Sequence, residues 1–84
     1  MRIDKFLNAT NITKRRSIAQ DMLKEKVISI NGQICKKAKE VKVGDIITLQ
    51  YLTHSNSYKV LQIPTTKSTP KSKQGEFVCL IKQD

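Results

Sequence analysis

The sequence predicts an α+β fold in which two short N-terminal helices pack on a small, antiparallel-rich sheet of four or five strands. Apolar residues recur at helical spacing up to about residue 26, and from residue 27 they alternate with a period of two. The chain has 84 residues, which is enough for one hydrophobic core but not for two. We therefore expect a single domain.

The first helix is predicted over residues 2–9. Ile3, Phe6 and Leu7 are spaced i, i+3 and i+4, so they share one face of a helix. Asn and Thr in the stretch after residue 9 favour a turn.

The second helix is predicted over residues 14–26, with the Thr13 hydroxyl as its N-cap. Its inward stripe is expected to comprise Ile18, Ala19, Met22 and Leu23. At about 100° per residue, Arg16, Gln20 and Lys24 lie on another side, which faces solvent or a ligand. Arg15 is expected nearer to the apolar stripe.

The remaining chain is predicted to form strands. Asn31-Gly32 is a strong signal for a two-residue hairpin between a strand that begins at residue 27 and a second strand at 33–36. Gly44-Asp45 is expected to turn into a strand at 46–51. Two further strands are expected, at 57–63 and 76–81, and the polar segment 65–75 between them is expected to be a mobile loop.

The charge balance indicates an acidic partner. Sixteen Lys and Arg residues against seven Asp and Glu residues give a net charge of +9, and a polyanion would relieve the resulting self-repulsion. The three consecutive cations Lys14, Arg15 and Arg16 lie where a helix is predicted to begin. Helix N-termini attract anions, and adjacent arginines strengthen that attraction.

Several function classes are disfavoured by the composition. No apolar run is long enough for a signal peptide or a membrane span, so we expect a cytoplasmic protein without a membrane partner. Cys35 and Cys79 lie far apart with a single His, which favours reduced, packed cysteines over a metal site. We expect no cofactor. His54 lies in a polar turn without a recognisable catalytic partner, so we expect no enzymatic activity.

Four motifs in order resemble the S-four RNA-binding domain, also called the alpha-L motif. They are RIDKFL, KRRSIAQDML, VISING and VKVGDII, and together they span about residues 2–50. The resemblance implies an RNA-binding core at residues 1–50, with residues 51–84 completing the same domain. Among free-standing members, the chain is most similar to short ribosome quality-control factors and, more distantly, to the fifteen-kilodalton heat-shock protein.

The resemblance implies binding to ribosomal RNA of the large subunit when the ribosome is stalled, with tRNA as a second candidate partner. We expect the free protein to be a monomer. Asp4 is expected to orient a neighbouring arginine, and Arg2 and Arg16 are expected to be exposed and dispensable for stability. The predicted RNA-binding residues are Arg2, Lys5, Thr13, Lys14, Arg15, Arg16, Gln20, Lys24, Asn31, Lys36 and Lys37.

The sequence departs from the family pattern in two places. Lys26 occupies a position where the family usually has Gly, and a left-handed backbone there would cost roughly 1 kcal/mol. The Pro-Ser that often precedes the Gly-Asp turn is replaced around Ala38-Lys39. Both changes affect local backbone rather than a predicted RNA contact.

Two other function classes remain open from the sequence. The second helix could serve as the recognition helix of a helix-turn-helix DNA-binding regulator. The chain could also be an accessory subunit that gives RNA affinity to a separate enzyme. Competition between structured ribosomal RNA and duplex DNA distinguishes a DNA-binding regulator from an RNA-binding factor. Copurification with a catalytic partner away from ribosomes would support an accessory subunit.

Overall fold

The computed structural model describes residues 1–36, 38–66 and 68–83. Its elements, in chain order, are α1 (Ile3–Ala9), α2 (Arg16–Lys24), β1 (Ile28–Ile30), β2 (Gln33–Ile34), β3 (Ile46–Gln50), β4 (Ser55–Val60), a 3-10 turn (Lys71–Lys73), α3 (Gln74–Phe77) and β5 (Val78–Gln83). The five strands form one sheet in the order β2-β1-β3-β4-β5. Every neighbouring pair is antiparallel, which confirms the α+β prediction.

The two N-terminal helices and the sheet share one hydrophobic core. Ile3, Phe6 and Leu7 of α1 are fully buried, as their spacing predicts. They pack in one cluster with Ala19 and Leu23 of α2 and with strand residues. The strand members of the cluster are Ile28, Ile30, Ile47, Leu49, Val60 and Val78. The core therefore holds the basic N-terminal helices on the sheet.

Both helices end in the same hydrogen-bonded motif with a left-handed residue. After α1, Asn11 has φ 63°, and the Ile12 N–H donates to the Leu7 carbonyl at 3.0 Å. After α2, Lys26 has φ 61°, and the Val27 N–H donates to the Met22 carbonyl at 3.2 Å. These are Schellman motifs. Lys26 thus adopts a left-handed conformation, which favours Gly.

The predicted hairpin is confirmed at its turn. Asn31 has φ 52° and Gly32 has φ 84°, which suits a two-residue turn with both central residues at positive φ. The register joins Ile30 to Gln33. Gly44, with φ 93°, forms the second predicted turn, after which β3 begins at Ile46.

The second helix is shorter than predicted. It begins at Arg16 rather than residue 14 and ends at Lys24 rather than residue 26. Arg15 holds the N-cap position, and no described side chain donates or accepts a cap hydrogen bond there. The prediction that Thr13 caps the helix is therefore wrong. Ile18, predicted to face inward, is 40% exposed, and Arg15 is exposed too.

The C-terminal third differs most from the prediction. Strand β4 covers residues 55–60 rather than 57–63, and β5 covers 78–83 rather than 76–81. The segment expected as a mobile loop contains the 3-10 turn and the start of α3. It is also bound to the end of α1. Thr69 donates from its N–H and its Oγ1 to the Ala9 carbonyl, at 3.0 and 2.7 Å.

The cysteines have different environments. Cys35 is buried and Cys79 is exposed, so the prediction of two packed cysteines is correct for Cys35 and wrong for Cys79. Burial raises the pKa of the Cys35 thiol, which keeps it protonated at neutral pH. No helix among the described residues is long and apolar enough to cross a bilayer.

Candidate nucleic-acid interface

A buried carboxylate organises the N-terminal basic residues. Asp4 is fully buried and accepts two hydrogen bonds from Arg2, at 3.1 Å from Nε and 2.8 Å from Nη2. Arg16 approaches from α2, with Nε at 3.3 Å and Nη2 at 3.2 Å from Asp4 Oδ2. The Gln20 amide lies 3.3 Å from the same oxygen, and the Lys5 N–H donates to Oδ1 at 3.0 Å. Asp4 therefore joins α1 to α2 through their polar side chains.

These contacts keep Asp4 ionised. Burial alone would raise the pKa of its carboxyl, but hydrogen bonds from Arg2, Gln20, Arg16 and the Lys5 N–H outweigh burial and lower the pKa from 3.8 to about 2. A permanent negative charge at this position holds both guanidinium groups by charge-assisted hydrogen bonds. The expectation that Asp4 orients a neighbouring arginine agrees with this geometry, which includes two arginines.

The two arginines remain accessible while they are paired. The side chain of Arg2 is 37% exposed and that of Arg16 is 45% exposed. Each guanidinium carries five N–H donors, and only Nε and Nη2 are directed at Asp4. Donors therefore remain for an anion from solvent. Because both arginines are partners of a buried charge, we expect each to contribute to stability, in contrast to the expectation from the sequence that both are dispensable for it.

Backbone pairing fixes the N-terminus beside this cluster. The Ile3 N–H donates to the Lys39 carbonyl at 2.8 Å, and the Val41 N–H donates to the Met1 carbonyl at 2.9 Å. The Met1 amine forms an ion pair with Glu40 at 2.7 Å, and its hydrogen bond and charge lower the pKa of the Glu40 carboxyl. Arg2 forms a β-bridge with Glu40, and the backbones of its two chain neighbours, Met1 and Ile3, are hydrogen-bonded to the same segment.

Two clefts extend the cluster across the surface. The first, of about 440 Å³, is lined by Met1, Lys5, Asn8, Arg16, Thr65 and Thr66. The second, of about 710 Å³, lies between α2 and the β2 region and is lined by Gln20, Asp21, Leu23, Lys24, Lys26, Ile34, Cys35 and Lys36. Arg16 belongs to the first cleft and Gln20 to the second, and both contact Asp4.

We call the resulting surface the cationic face. It is defined by Arg2, Lys5, Arg16, Gln20, Lys24 and Lys36. The structure thus brings together six of the residues predicted from the sequence. Asp21, a carboxylate, also lines the second cleft and reduces the positive charge there.

The other predicted site residues have different positions. Lys14 and Arg15 are exposed immediately before α2. Thr13 is 4% exposed, and its buried Oγ1 has no hydrogen-bond partner among the described residues. The exposed side chain of Asn31 forms intramolecular hydrogen bonds, in which Nδ2 donates to Asp45 at 3.1 Å and Oδ1 accepts from the Ile46 N–H at 3.0 Å. Lys37 lies outside the described residues.

Sequence reasoning missed the C-terminal side of the first cleft. Thr65 and Thr66 are separated from Arg16 by about fifty positions, and no local pattern marks them. Asn8 and the Met1 amine were also not identified. Within the described part of the chain, no three His, Cys, Asp or Glu residues are grouped so that they could hold a metal ion.

Comparison with known proteins places this architecture in a family. The model of the S4 domain matches residues 1–47, a stretch that contains the whole cationic face. The chain belongs to the S4 domain family of RNA-binding modules.

Individual relatives match over most of their length. The chain is 48% identical over 71 residues to the RQC P-site tRNA stabilizing factor of Helicobacter pylori (strain J99), which covers 84% of each protein. Its fold is similar to the solution structure of hypothetical protein HP1423, with a TM-score of 0.84, 39% identity and complete coverage of both chains. It is also similar to trimeric Heat Shock Protein 15 of Vibrio cholerae, with a TM-score of 0.86, 26% identity and coverage of 96% of this chain and 81% of that one.

Proposed function

We propose that this chain is a non-enzymatic RNA-binding factor that associates with ribosomal RNA of the large subunit and helps to rescue stalled ribosomes. The observation that carries the proposal is the cationic face, whose arginines are held in position by a buried carboxylate. The name of the Helicobacter pylori relative, which refers to tRNA in the ribosomal P site, supports tRNA as a second partner.

The chemistry of the cationic face suits an RNA backbone. An arginine fork can donate parallel hydrogen bonds to a phosphate and can stack on an unpaired base. Lys5, Lys24 and Lys36 add less directional charge around the arginines. Lys14 and Arg15, exposed just before α2, extend the positive charge to the N-terminal end of that helix, where the dipole also favours an anion.

Three further features belong to the proposal. Residues 1–50 form the RNA-binding core, and residues 51–84 complete the same domain. The free protein is monomeric, because a net charge of +9 opposes self-association. It acts in the cytoplasm, where ribosomes are found.

Sedimentation through a sucrose gradient tests the proposal. The tagged protein is mixed with separated large and small ribosomal subunits, and its position is read by immunoblotting. We expect it to travel with the large subunit and to be displaced by structured ribosomal RNA, but not by an equal mass of duplex DNA. Retention at the top of the gradient, or displacement by the DNA alone, would contradict the assignment.

A further inference from the structure

The first cleft has a wall that lies outside the S4 match. Met1, Lys5, Asn8 and Arg16 come from the N-terminal region, whereas Thr65 and Thr66 come from the segment after β4. Residues 1–47 alone match the family, so the threonine wall is supplied by a part of the chain that the family pattern does not describe. The cleft is therefore lined by both parts of the chain.

Hydrogen bonds fix the C-terminal wall against α1. Beside the two bonds from Thr69 to the Ala9 carbonyl, the Asn11 side chain donates to the Thr69 carbonyl at 2.8 Å. The Gln74 amide donates to the Thr10 carbonyl at 2.9 Å. All these bonds join the end of α1 to residues 69–74. Thr65 and Thr66, which precede these residues in the chain, line the first cleft together with Lys5 and Arg16 of the cationic face.

The two walls differ in chemistry. Lys5 is exposed on one wall, and Arg16 presents guanidinium donors that Asp4 does not use. The opposite wall presents two exposed threonines, which are neutral and can donate or accept a hydrogen bond. Thr66 Oγ1 donates to the Ser68 carbonyl at 2.7 Å, which leaves its lone pairs as acceptors.

The cations of Lys5 and Arg16 and the hydroxyls of the threonine wall complement two parts of a ribonucleotide, its phosphate and its ribose. Its phosphate is an anion, and its ribose 2′-OH is a donor and acceptor that DNA lacks. A volume of about 440 Å³ lies in the lower part of the roughly 300–1,000 Å³ range of small-ligand sites, which suits one nucleotide rather than a duplex.

We propose that this cleft holds one nucleotide of the bound RNA, with Lys5 and Arg16 on its phosphate and the residue 65–66 wall on its ribose. This inference rests on the proposed RNA-binding function and deepens it. It assigns to residues 65–66 a part in distinguishing RNA from DNA. Thr65 and Thr66 then act by direct contact with the nucleic acid.

Two substitutions at Thr65 test the proposal. Thr65→Val removes the hydroxyl and keeps the shape, and Thr65→Glu places a carboxylate in the cleft. The matched controls are Thr53→Val and Thr53→Glu, at an exposed threonine between β3 and β4. Each control changes net charge and composition by the same amount as its partner. Circular dichroism verifies that each variant is folded.

Binding is measured by fluorescence anisotropy with a labelled RNA hairpin that carries a single-stranded loop, and with the DNA hairpin of the same sequence. Thr65→Val is expected to weaken RNA binding about threefold to tenfold and to leave DNA binding unchanged, whereas Thr53→Val changes neither. Thr65→Glu is expected to weaken RNA binding at least about tenfold more than Thr53→Glu.

The result separates this inference from the proposed function. If the unmodified protein binds RNA but each Thr65 variant behaves like its Thr53 control, the nucleotide site is refuted while the RNA-binding function stands. If Thr65→Val weakens RNA and DNA binding equally, the ribose contact is refuted. Failure of the unmodified protein to bind RNA would overturn both proposals.

Discussion

Asp4 is the residue on which the geometry of the cationic face depends. It is buried, and its negative charge is balanced by Arg2 from before α1 and Arg16 from α2. An unpaired buried carboxylate would be strongly unfavourable. The ion pairs therefore keep the buried carboxylate partnered and fix the positions of two guanidinium groups.

Asp4 gives stability a specific pH dependence. Its folded-state pKa of about 2 is below the ordinary value of 3.8, so its contribution is fully present above about pH 4 and is lost as pH falls through 2. The shift corresponds to about 2 kcal/mol. We expect the difference in unfolding free energy between the wild type and Asp4→Asn to shrink by that amount between pH 5 and 2, measured by urea denaturation. A difference independent of pH would contradict the assignment.

The arginines are expected to affect stability unequally. Arg2 approaches Asp4 at 2.8 and 3.1 Å, whereas both Arg16 contacts are longer than 3.1 Å. We expect Arg2→Ala to lower the free energy of unfolding by about 1–2 kcal/mol and Arg16→Ala by less, because each leaves a buried charge with fewer donors. Lys24→Ala, which removes an exposed cation of α2, is the control. If urea denaturation gave the same free energy of unfolding for all three variants, this order would be contradicted.

At the scale of a single element, the left-handed residue at the end of α2 predicts a change in stability. Lys26 has φ 61° in the Schellman motif, a conformation that is unstrained for Gly. We expect Lys26→Gly to raise the free energy of unfolding by about 0.5–1 kcal/mol, measured by thermal or urea denaturation. The same change at Lys24, the last residue of α2, is expected to lower the free energy of unfolding, by up to about 1 kcal/mol. Equal changes in the free energy of unfolding at the two positions would refute backbone strain at Lys26.

The elements that were predicted well have local signals. The i, i+3, i+4 spacing of Ile3, Phe6 and Leu7 predicts α1, and Asn31-Gly32 predicts the hairpin, because each pattern is satisfied within a few residues. The sequence predicts that α2 begins at residue 14, because Thr13 is a good N-cap residue. In the structure Thr13 is buried instead, and its N–H donates to the Leu7 carbonyl at 3.1 Å.

The segment 65–75 shows what local pattern cannot reveal. Within it, Thr69 and Gln74 form hydrogen bonds with the end of α1, whose residues are about sixty positions away in the chain. The same distance explains why the basic half of the first cleft was predicted and its threonine wall was not. A cluster of charged residues can be recognised in the sequence, whereas the position of Thr65 and Thr66 beside it depends on the tertiary fold.

At the scale of the whole molecule, the distribution of charge predicts how RNA affinity depends on salt. If the cationic face engages about five phosphates, the logarithm of the binding constant should fall against the logarithm of salt concentration with a slope on the order of −3.5 to −4.5. Fluorescence anisotropy titrations with a labelled RNA at several salt concentrations measure it. A slope near zero would show that the net charge of +9 is not used for binding.

The sheet contains a lysine, Lys59, that can serve as a control for cations of the cationic face. Lys59 is exposed on β4 next to buried Val60, and successive side chains of a strand point to opposite faces. Val60 packs in the cluster that contains α1 and α2, so Lys59 lies on the face of the sheet that points away from the helices. It has the same charge as Lys5 and Lys24 but a different location.

The measurement that tests the central claim most directly compares large-subunit binding of Lys5→Glu and Lys24→Glu with that of Lys59→Glu. All three variants change the net charge equally, so a difference between them reports position alone. We predict that the first two weaken association about tenfold or more, whereas Lys59→Glu keeps most of the affinity. Equal weakening by all three would contradict a binding surface formed by α1 and α2.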